Sequence, residues 1–264
     1  MNNAIGVFDS GVGGLTVARE IMRQLPNETI YYFGDVKNCP YGDKTKEEII
    51  KNTDRAVKFL INKGVKLVVL ACNTATAAAL EYLQSKYEVP IIGVVQPGAR
   101  RAIQATVNNK VLVLGTKFTA NSKVYDIEIE NINSDIIVFD KACPAFVPFI
   151  ESEGNLDKEA TKNLLTETLG NTNTLGVDTV VLGCTHYPIL KEEIEEYYGS
   201  NIKVISSGRE AAREVSTVLG YAKLHQKKLN KKEHKFFISQ ESDNFDSIAS
   251  KWLNKDINAE VVEV

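Results

Sequence analysis

Lys66-Leu-Val-Val-Leu-Ala-Cys-Asn-Thr74 and Asp178-Thr-Val-Val-Leu-Gly-Cys-Thr-His186 decide how this chain folds. In both, a short β-branched run ends in a small residue, then a cysteine, then two hydrogen-bonding side chains. Runs with so few polar residues read as strands of a parallel sheet buried on both faces. The carboxyl end of such a strand, where the chain turns into a helix, is where open α/β sheets place their ligands. Cys72 and Cys184 are therefore expected at two sheet mouths, one in each half of the chain. Two matched thiols suggest chemistry performed on a substrate from both sides.

Working outward, strand and helix signals alternate along the whole length, the pattern of a parallel α/β fold. Strands are expected at 4–8, 29–34, 66–71, 90–95, 110–115, 135–140, 178–183 and 201–206, with a looser pair at 235–239 and 259–263. Helical periodicity places Ile49, Ile50, Ala56, Val57, Leu60 and Ile61 on one face of 45–63, and Ala211, Ala212, Val215, Val218, Leu219 and Ala222 on one face of 208–225. Two further helices, Leu15 to Leu25 and Ala75 to Leu83, start directly after candidate site loops. The repeat is weak outside the cysteine phrases, so the chain reads as two similar halves and not as a solenoid. A strand is expected to end near Gln96-Pro97-Gly98, where a new series begins, and the chain to cross back near Ser206-Ser207-Gly208. Residues 1–97 and 207–264 are thus assigned to a first domain carrying Cys72, and 98–206 to a second carrying Cys184.

At 264 residues the chain can bury two modest cores. Its net charge of −3 gives no footprint for nucleic acid or a membrane surface. The basic run from Lys227-Lys228 to Lys231-Lys232 follows a helix pattern and reads as a solvated helix end. No apolar stretch approaches the ~20 residues of a membrane helix, and the opening Met1-to-Asp9 segment goes straight into a strand without a signal-peptide layout. Cysteines at 39, 72, 143 and 184 form no close pairs, which argues against a disulfide framework and for a reducing, cytoplasmic setting.

Asp9-Ser10-Gly11-Val12-Gly13-Gly14 follows the first strand and opens a helix, where glycines and free amides make an anion site. A dinucleotide site is one reading, because Asp35 ends the second strand at a plausible ribose-binding distance. That fingerprint wants a glycine at position 16, where this chain has Thr16, and Asp9 would repel a pyrophosphate. The loop suits a zwitterion better. Cys39-Pro40-Tyr41-Gly42 lies in the loop after the second strand, where Tyr41 and the Gly42 amide are placed to close over a ligand, although such a run is also ordinary turn chemistry.

A lone cysteine after an apolar run is usually a small buried hydrophobe; two in the same setting, each with polar followers, point to chemistry. Zinc is disfavoured, with no C-x-x-C spacing and one nearby histidine. A Cys184–His186 nucleophile is the serious rival, but residues two apart at a strand end are expected to diverge, and Cys72 would be unexplained. Two acid/base thiols account for both cysteines. Cys143 and Cys39 read as structural, Glu151 as either a cleft acid or a solvated helix start, and His225 and His234 as surface residues.

Together, Gly-Val-Phe-Asp-Ser-Gly-Val-Gly-Gly-Leu at 6–15, Cys-Pro-Tyr-Gly at 39–42, Cys-Asn-Thr-Ala at 72–75 and Gly-Cys-Thr-His-Tyr-Pro at 183–188 closely resemble the glutamate racemase family, in order from residue 4 to about 225. The resemblance implies two pseudo-symmetric α/β domains with the substrate clasped in the cleft between them. It also implies cofactor-independent racemisation that supplies D-glutamate for peptidoglycan. Neither a cofactor nor a metal is expected. The resemblance assigns Cys72 and Cys184 as the acid/base pair, and Asp9, Ser10, Tyr41, Gly42, Asn73, Thr74, Thr185 and His186 as substrate contacts. Thr116 and Thr119 match a family pattern near the substrate carboxylate, and the same resemblance implies that Asp9 serves Cys72, while His186 and Glu151 serve Cys184. A small-molecule substrate and a homodimer are the expected partners. A related racemase or decarboxylase, and a non-catalytic amino-acid-binding protein, remain the alternatives.

Overall fold

The computed structural model describes residues 4–152, 157–226 and 233–264. The basic run at 227–232 lies outside the described residues. By their internal contacts, the described residues divide into one unit of Met1–Val94 and Gly208–Val264 and another of Val95–Ser207.

The first unit is built on a six-stranded, wholly parallel sheet. Its strands are β1 (Ile5–Asp9), β2 (Ile30–Gly34), β3 (Leu67–Leu70), β4 (Ile91–Gly93), and, from the end of the chain, β9 (Lys235–Ile238) and β10 (Glu260–Val261). Their order is β10-β9-β2-β1-β3-β4. The second unit carries β5 (Lys110–Gly115), β6 (Ile137–Ala142), β7 (Thr179–Gly183) and β8 (Lys203–Ser206), all parallel, in the order β6-β5-β7-β8. Four adjacent strands of the first sheet, β2-β1-β3-β4, repeat that order.

Contiguous apolar runs make the central strands β1, β3, β5 and β7, whose residues are almost all buried. In the first unit Ile5, Val7, Leu67 and Val69 pack on one face with helices Leu15–Gln24, Ser207–Tyr221 and Asp243–Leu253, through Ile21, Ala212, Val215, Leu219 and Phe245. The intervening Gly6 lies against Leu60 of helix Lys46–Asn62, where a Cβ would meet the Leu60 side chain at 3.3 Å. That helix starts at a reciprocal cap between Thr45 and Glu48. In the second unit Val111, Val113, Val181 and Ile205 pack with Ala99, Ala102, Tyr125 and Ile129. Burying a side chain of this size contributes roughly 1.5–3 kcal/mol, so this apolar layer holds the site loops at the strand ends.

Gln96-Pro97-Gly98 differs from expectation. β4 stops at Gly93, and the three residues form the first turn of helix Val95–Ala105. A proline is tolerated there because first-turn amides have no intrahelical acceptor. His234 also differs: it is half-buried, and its Nδ1 accepts a hydrogen bond from the Ile30 amide at 3.1 Å. His225 is exposed. No helix among the described residues is long and apolar enough to cross a membrane.

Candidate active site

In each sheet the chain leaves two neighbouring strands in opposite directions. β1 leads to β2 on one side while β3 leads to β4 on the other, and β5 and β7 repeat this with β6 and β8. The carboxyl ends of β1 and β3, and of β5 and β7, are therefore the switch points at which a parallel sheet opens a crevice. Cys72 lies two residues beyond β3, and Cys184 directly follows β7.

Cys72 caps helix Asn73–Lys86: its Sγ accepts from the Ala75 amide at 3.4 Å, and its thiol donates to Ser10 Oγ at 3.7 Å. The positive end of the helix dipole and a first-turn amide both favour negative charge on this sulfur. Asn73 and Thr74 follow in the first turn, each nearly wholly buried. Across the switch point, Asp9 ends β1 with no exposed surface, and its Oδ1 accepts from the Gly11 amide at 3.0 Å. A Cβ on Gly14 would lie 2.4 Å from Asp9 Cβ, so glycine there is what lets the loop fold over the carboxylate.

The Cys39–Gly42 loop sits beside these groups, with the Cys39 Sγ 3.2 Å from where a Cβ of Gly11 would be. Tyr41 is buried, and its hydroxyl donates to Asp35 Oδ2 at 2.6 Å. Burial first, and the Asp35 charge second, push its ionisation far above the ordinary range. The hydroxyl is thus committed to Asp35, while Gly42 next to it is half-buried. Asp35 also accepts from Asn38 Nδ2 at 3.0 Å and Ser239 Oγ at 2.7 Å. That carboxylate is committed to holding the loop, which removes the ribose role considered for it.

In the second unit Cys184 and His186 converge, against the expectation that they diverge. The chain turns immediately after β7, closed by the Tyr187 amide donating to the Cys184 carbonyl at 3.2 Å. This brings Cys184 Sγ and His186 Nδ1 to 3.9 Å. His186 Nε2 lies 2.8 Å from Glu151 Oε1, in the last turn of helix Phe146–Ser152. The imidazole is buried, which lowers its basicity, but the hydrogen bonds to Cys184 and Glu151 outweigh burial and raise its pKa to about 10. His186 is thus held as an imidazolium, the kind of neighbour that stabilises a thiolate.

Thr185 is buried beside this pair. Thr116, one residue past β5, caps helix Lys117–Asn121 through the Thr119 amide, and its hydroxyl donates to Thr119 Oγ1 at 3.1 Å. Tyr187 is fully buried, and its hydroxyl donates to the Cys143 and Gly115 carbonyls at 2.8 and 3.1 Å, tying the ends of β5 and β6 beside Cys184. Cys143 is buried, with burial pushing its thiol up to about 12. All four cysteines are free, and no group of three or more metal-ligating side chains occurs among the described residues.

Two residues that shape the site carry no motif of their own. Tyr32 donates from β2 to the Gly11 carbonyl at 2.7 Å, and Ser239 of the returning chain bonds Asp35. Only the adjacency of β2 to β1 and β9 brings them there.

Comparison with known proteins follows the same lines. The Asp/Glu/Hydantoin racemase family model matches residues 5–215. A glutamate racemase of Staphylococcus aureus (strain MRSA252) is 47% identical over 264 residues, covering 100% of this chain and 99% of its own. The crystal structure of a glutamate racemase isoform from Bacillus anthracis superposes with a TM-score of 0.95 at 40% identity, over 99% of this chain and 98% of the other. That of the Francisella tularensis glutamate racemase in complex with D-glutamate gives 0.92 at 34% identity, over 99% and 98%.

Proposed function

The chain belongs to the Asp/Glu/Hydantoin racemase family, within it to the glutamate racemases, and from that premise we propose that it racemises glutamate by a two-thiol mechanism without a cofactor. Its cytoplasmic product, D-glutamate, would supply peptidoglycan synthesis. The observation that carries the reading is the pairing of Cys72 and Cys184. Each is a buried thiol at the switch point of a sheet with the same strand order, and each has its own polar partner.

Racemisation removes the Cα proton on one face and returns a proton on the other. In this reading the Cys184 thiolate, beside the His186 imidazolium, takes the proton from L-glutamate while the Cys72 thiol delivers one to the opposite face. From D-glutamate the roles exchange: Cys72, supported by the amide of Ala75 and by the Asp9 side of its loop, is the base. The electron pair left on Cα spreads toward the α-carboxylate, so donors fixed in advance contribute most. The first-turn amides after Cys72 and the hydroxyls of Ser10, Thr74 and Thr185 are such donors. Closure of the protein on the substrate would exclude water and align both thiols.

A second reading has a specific observation in its favour. Glu151, His186 and Cys184 form a relay of the kind that activates a nucleophilic cysteine. It leaves Cys72 without a task, so replacement of Cys72 separates the two. Elimination of HCl from β-chloroglutamate needs one base only: the thiolate takes the Cα proton, a Cα=Cβ bond forms and chloride departs. Cys72→Ser should lose racemisation yet keep elimination from the L form, and Cys184→Ser should keep it from the D form. Both variants processing the same enantiomer, or Cys72→Ser racemising at the parental rate, would end the two-thiol reading.

A further inference from the structure

We propose that Tyr32 is a positioning residue for Asp9, and through it for the Cys72 half of the reaction. The proposal rests on the two-thiol reading above and goes beyond it by naming a residue that touches neither substrate nor thiol.

Tyr32 lies opposite Val7 in the β1–β2 register, with its ring wholly buried between Phe236 and Phe245 at centroid distances of 6.3 and 6.1 Å. Its hydroxyl reaches past the end of β1 and donates to the Gly11 carbonyl at 2.7 Å, while the Gly11 amide donates to Asp9 Oδ1 at 3.0 Å. Both polar groups of one glycine are therefore used, one by the tyrosine and one by the carboxylate. The arrangement has no slack. A Cβ on Gly14 would meet Asp9 Cβ at 2.4 Å and the Tyr32 hydroxyl at 3.0 Å, and a Cβ on Gly34 would meet the Gly11 carbonyl at 2.7 Å.

The hydroxyl is also a permanent donor. Burial first, then the neighbouring Asp9 carboxylate, hold its ionisation well above the ordinary value. Without it the Gly11 carbonyl is a buried acceptor with one partner fewer, a costly state that the flexible glycine relieves by rotating. That rotation takes the Gly11 amide away from Asp9. Cys72, 3.7 Å from Ser10 in the same loop, feels the change, whereas Cys184 belongs to a different sheet.

Racemisation by itself cannot locate the defect. The two enantiomers have equal free energy, so kcat/KM must be the same in both directions for any variant. Elimination from the separate β-chloroglutamate enantiomers removes that constraint. In Tyr32→Phe we expect elimination from the D form to fall about tenfold, the scale of one unsatisfied buried acceptor, and the pH profile of that reaction to shift. Elimination from the L form should stay within about twofold of the parent, and racemisation should fall in parallel with the D-form reaction. A ring-fluorinated tyrosine at position 32 keeps the ring and the hydroxyl while changing its strength as a donor; it should alter the D-form reaction alone, which keeps the test in hand if Tyr32→Phe fails to fold. Equal losses on both enantiomers, or no loss, in a variant that melts normally would overturn the assignment. If Cys72→Ser and Cys184→Ser divide the enantiomers but Tyr32→Phe is symmetric, only the role of Tyr32 falls. If the two cysteine variants do not divide them, the two-thiol reading falls and this proposal with it.

Discussion

Replacing Glu151 by Gln removes the negative charge 2.8 Å from His186 Nε2 and leaves a side chain of the same size. At that separation a unit charge pair is worth about 6 kcal/mol at an effective dielectric of ~20 and about 1.5 kcal/mol in water. The histidine side chain is 5% exposed and the glutamate 29%, so the pair lies between these limits, at about 2–2.7 kcal/mol, or ~1.5–2 pKa units. The His186 pKa should therefore drop from about 10 to about 8. Its sign in stability follows from linkage. A histidine raised in the folded state contributes fully below its unfolded value near ~6.5 and loses that contribution as pH rises through the folded value. The variant should thus be less stable than the parent by about 2–2.7 kcal/mol at pH ~7, and the deficit should vanish above pH ~10. Chemical denaturation at the two pH values measures the deficit, and NMR titration of the His186 ring measures the pKa. A deficit that is the same at both pH values, or a His186 titration that does not move, would refute the reasoning.

Three further outcomes follow from the same geometry. The protein should keep full racemase activity after dialysis against EDTA; loss on chelation with recovery on adding zinc would contradict the acid/base role of the thiols. If the proposed substrate is glutamate, glutamine and alanine, which leave donors for a γ-carboxylate unpaired, should be disfavoured by factors of ~10⁴ in kcat/KM, and comparable values for aspartate and glutamate would count against that specificity. Glu28 is 4% exposed and binds Lys66 Nζ at 2.6 Å and the Gln226 amide at 2.8 Å, pinning the chain that leaves helix Ser207–Tyr221. Glu28→Ala leaves a buried ammonium without its carboxylate and should cost roughly 3–5 kcal/mol in urea unfolding; a loss below about 1 kcal/mol would show that the pair is dispensable.

The sheets were legible because parallel strands covered on both faces are written as contiguous apolar runs, as in Leu67–Leu70 and Thr179–Gly183. Helix Val95–Ala105 was obscured by Pro97, which reads as a break although it occupies a first turn that tolerates it. The thiols were legible through the doubled phrase, but their surroundings are set by contacts distant in sequence. Glu151 meets His186 across 35 positions and Ser239 meets Asp35 across 204. The convergence of Cys184 and His186 depends on one tight turn that no residue spacing announces. Tyr41 shows the reverse limit: its motif was plain, yet its side chain is turned inward to Asp35.

The central claim is that two thiols, not one, handle the Cα proton, and solvent deuterium tests it most directly. Each enantiomer of glutamate is incubated separately in D₂O with the purified protein and no added cofactor, and early samples are resolved by chirality and mass. The base thiol carries the substrate proton away, while the acid thiol has already exchanged with solvent. Newly formed product should therefore carry deuterium at Cα in both directions, and the recovered substrate should remain protiated at low conversion. Product that keeps the original proton, or recovered substrate that gains deuterium as fast as product forms, would contradict the account.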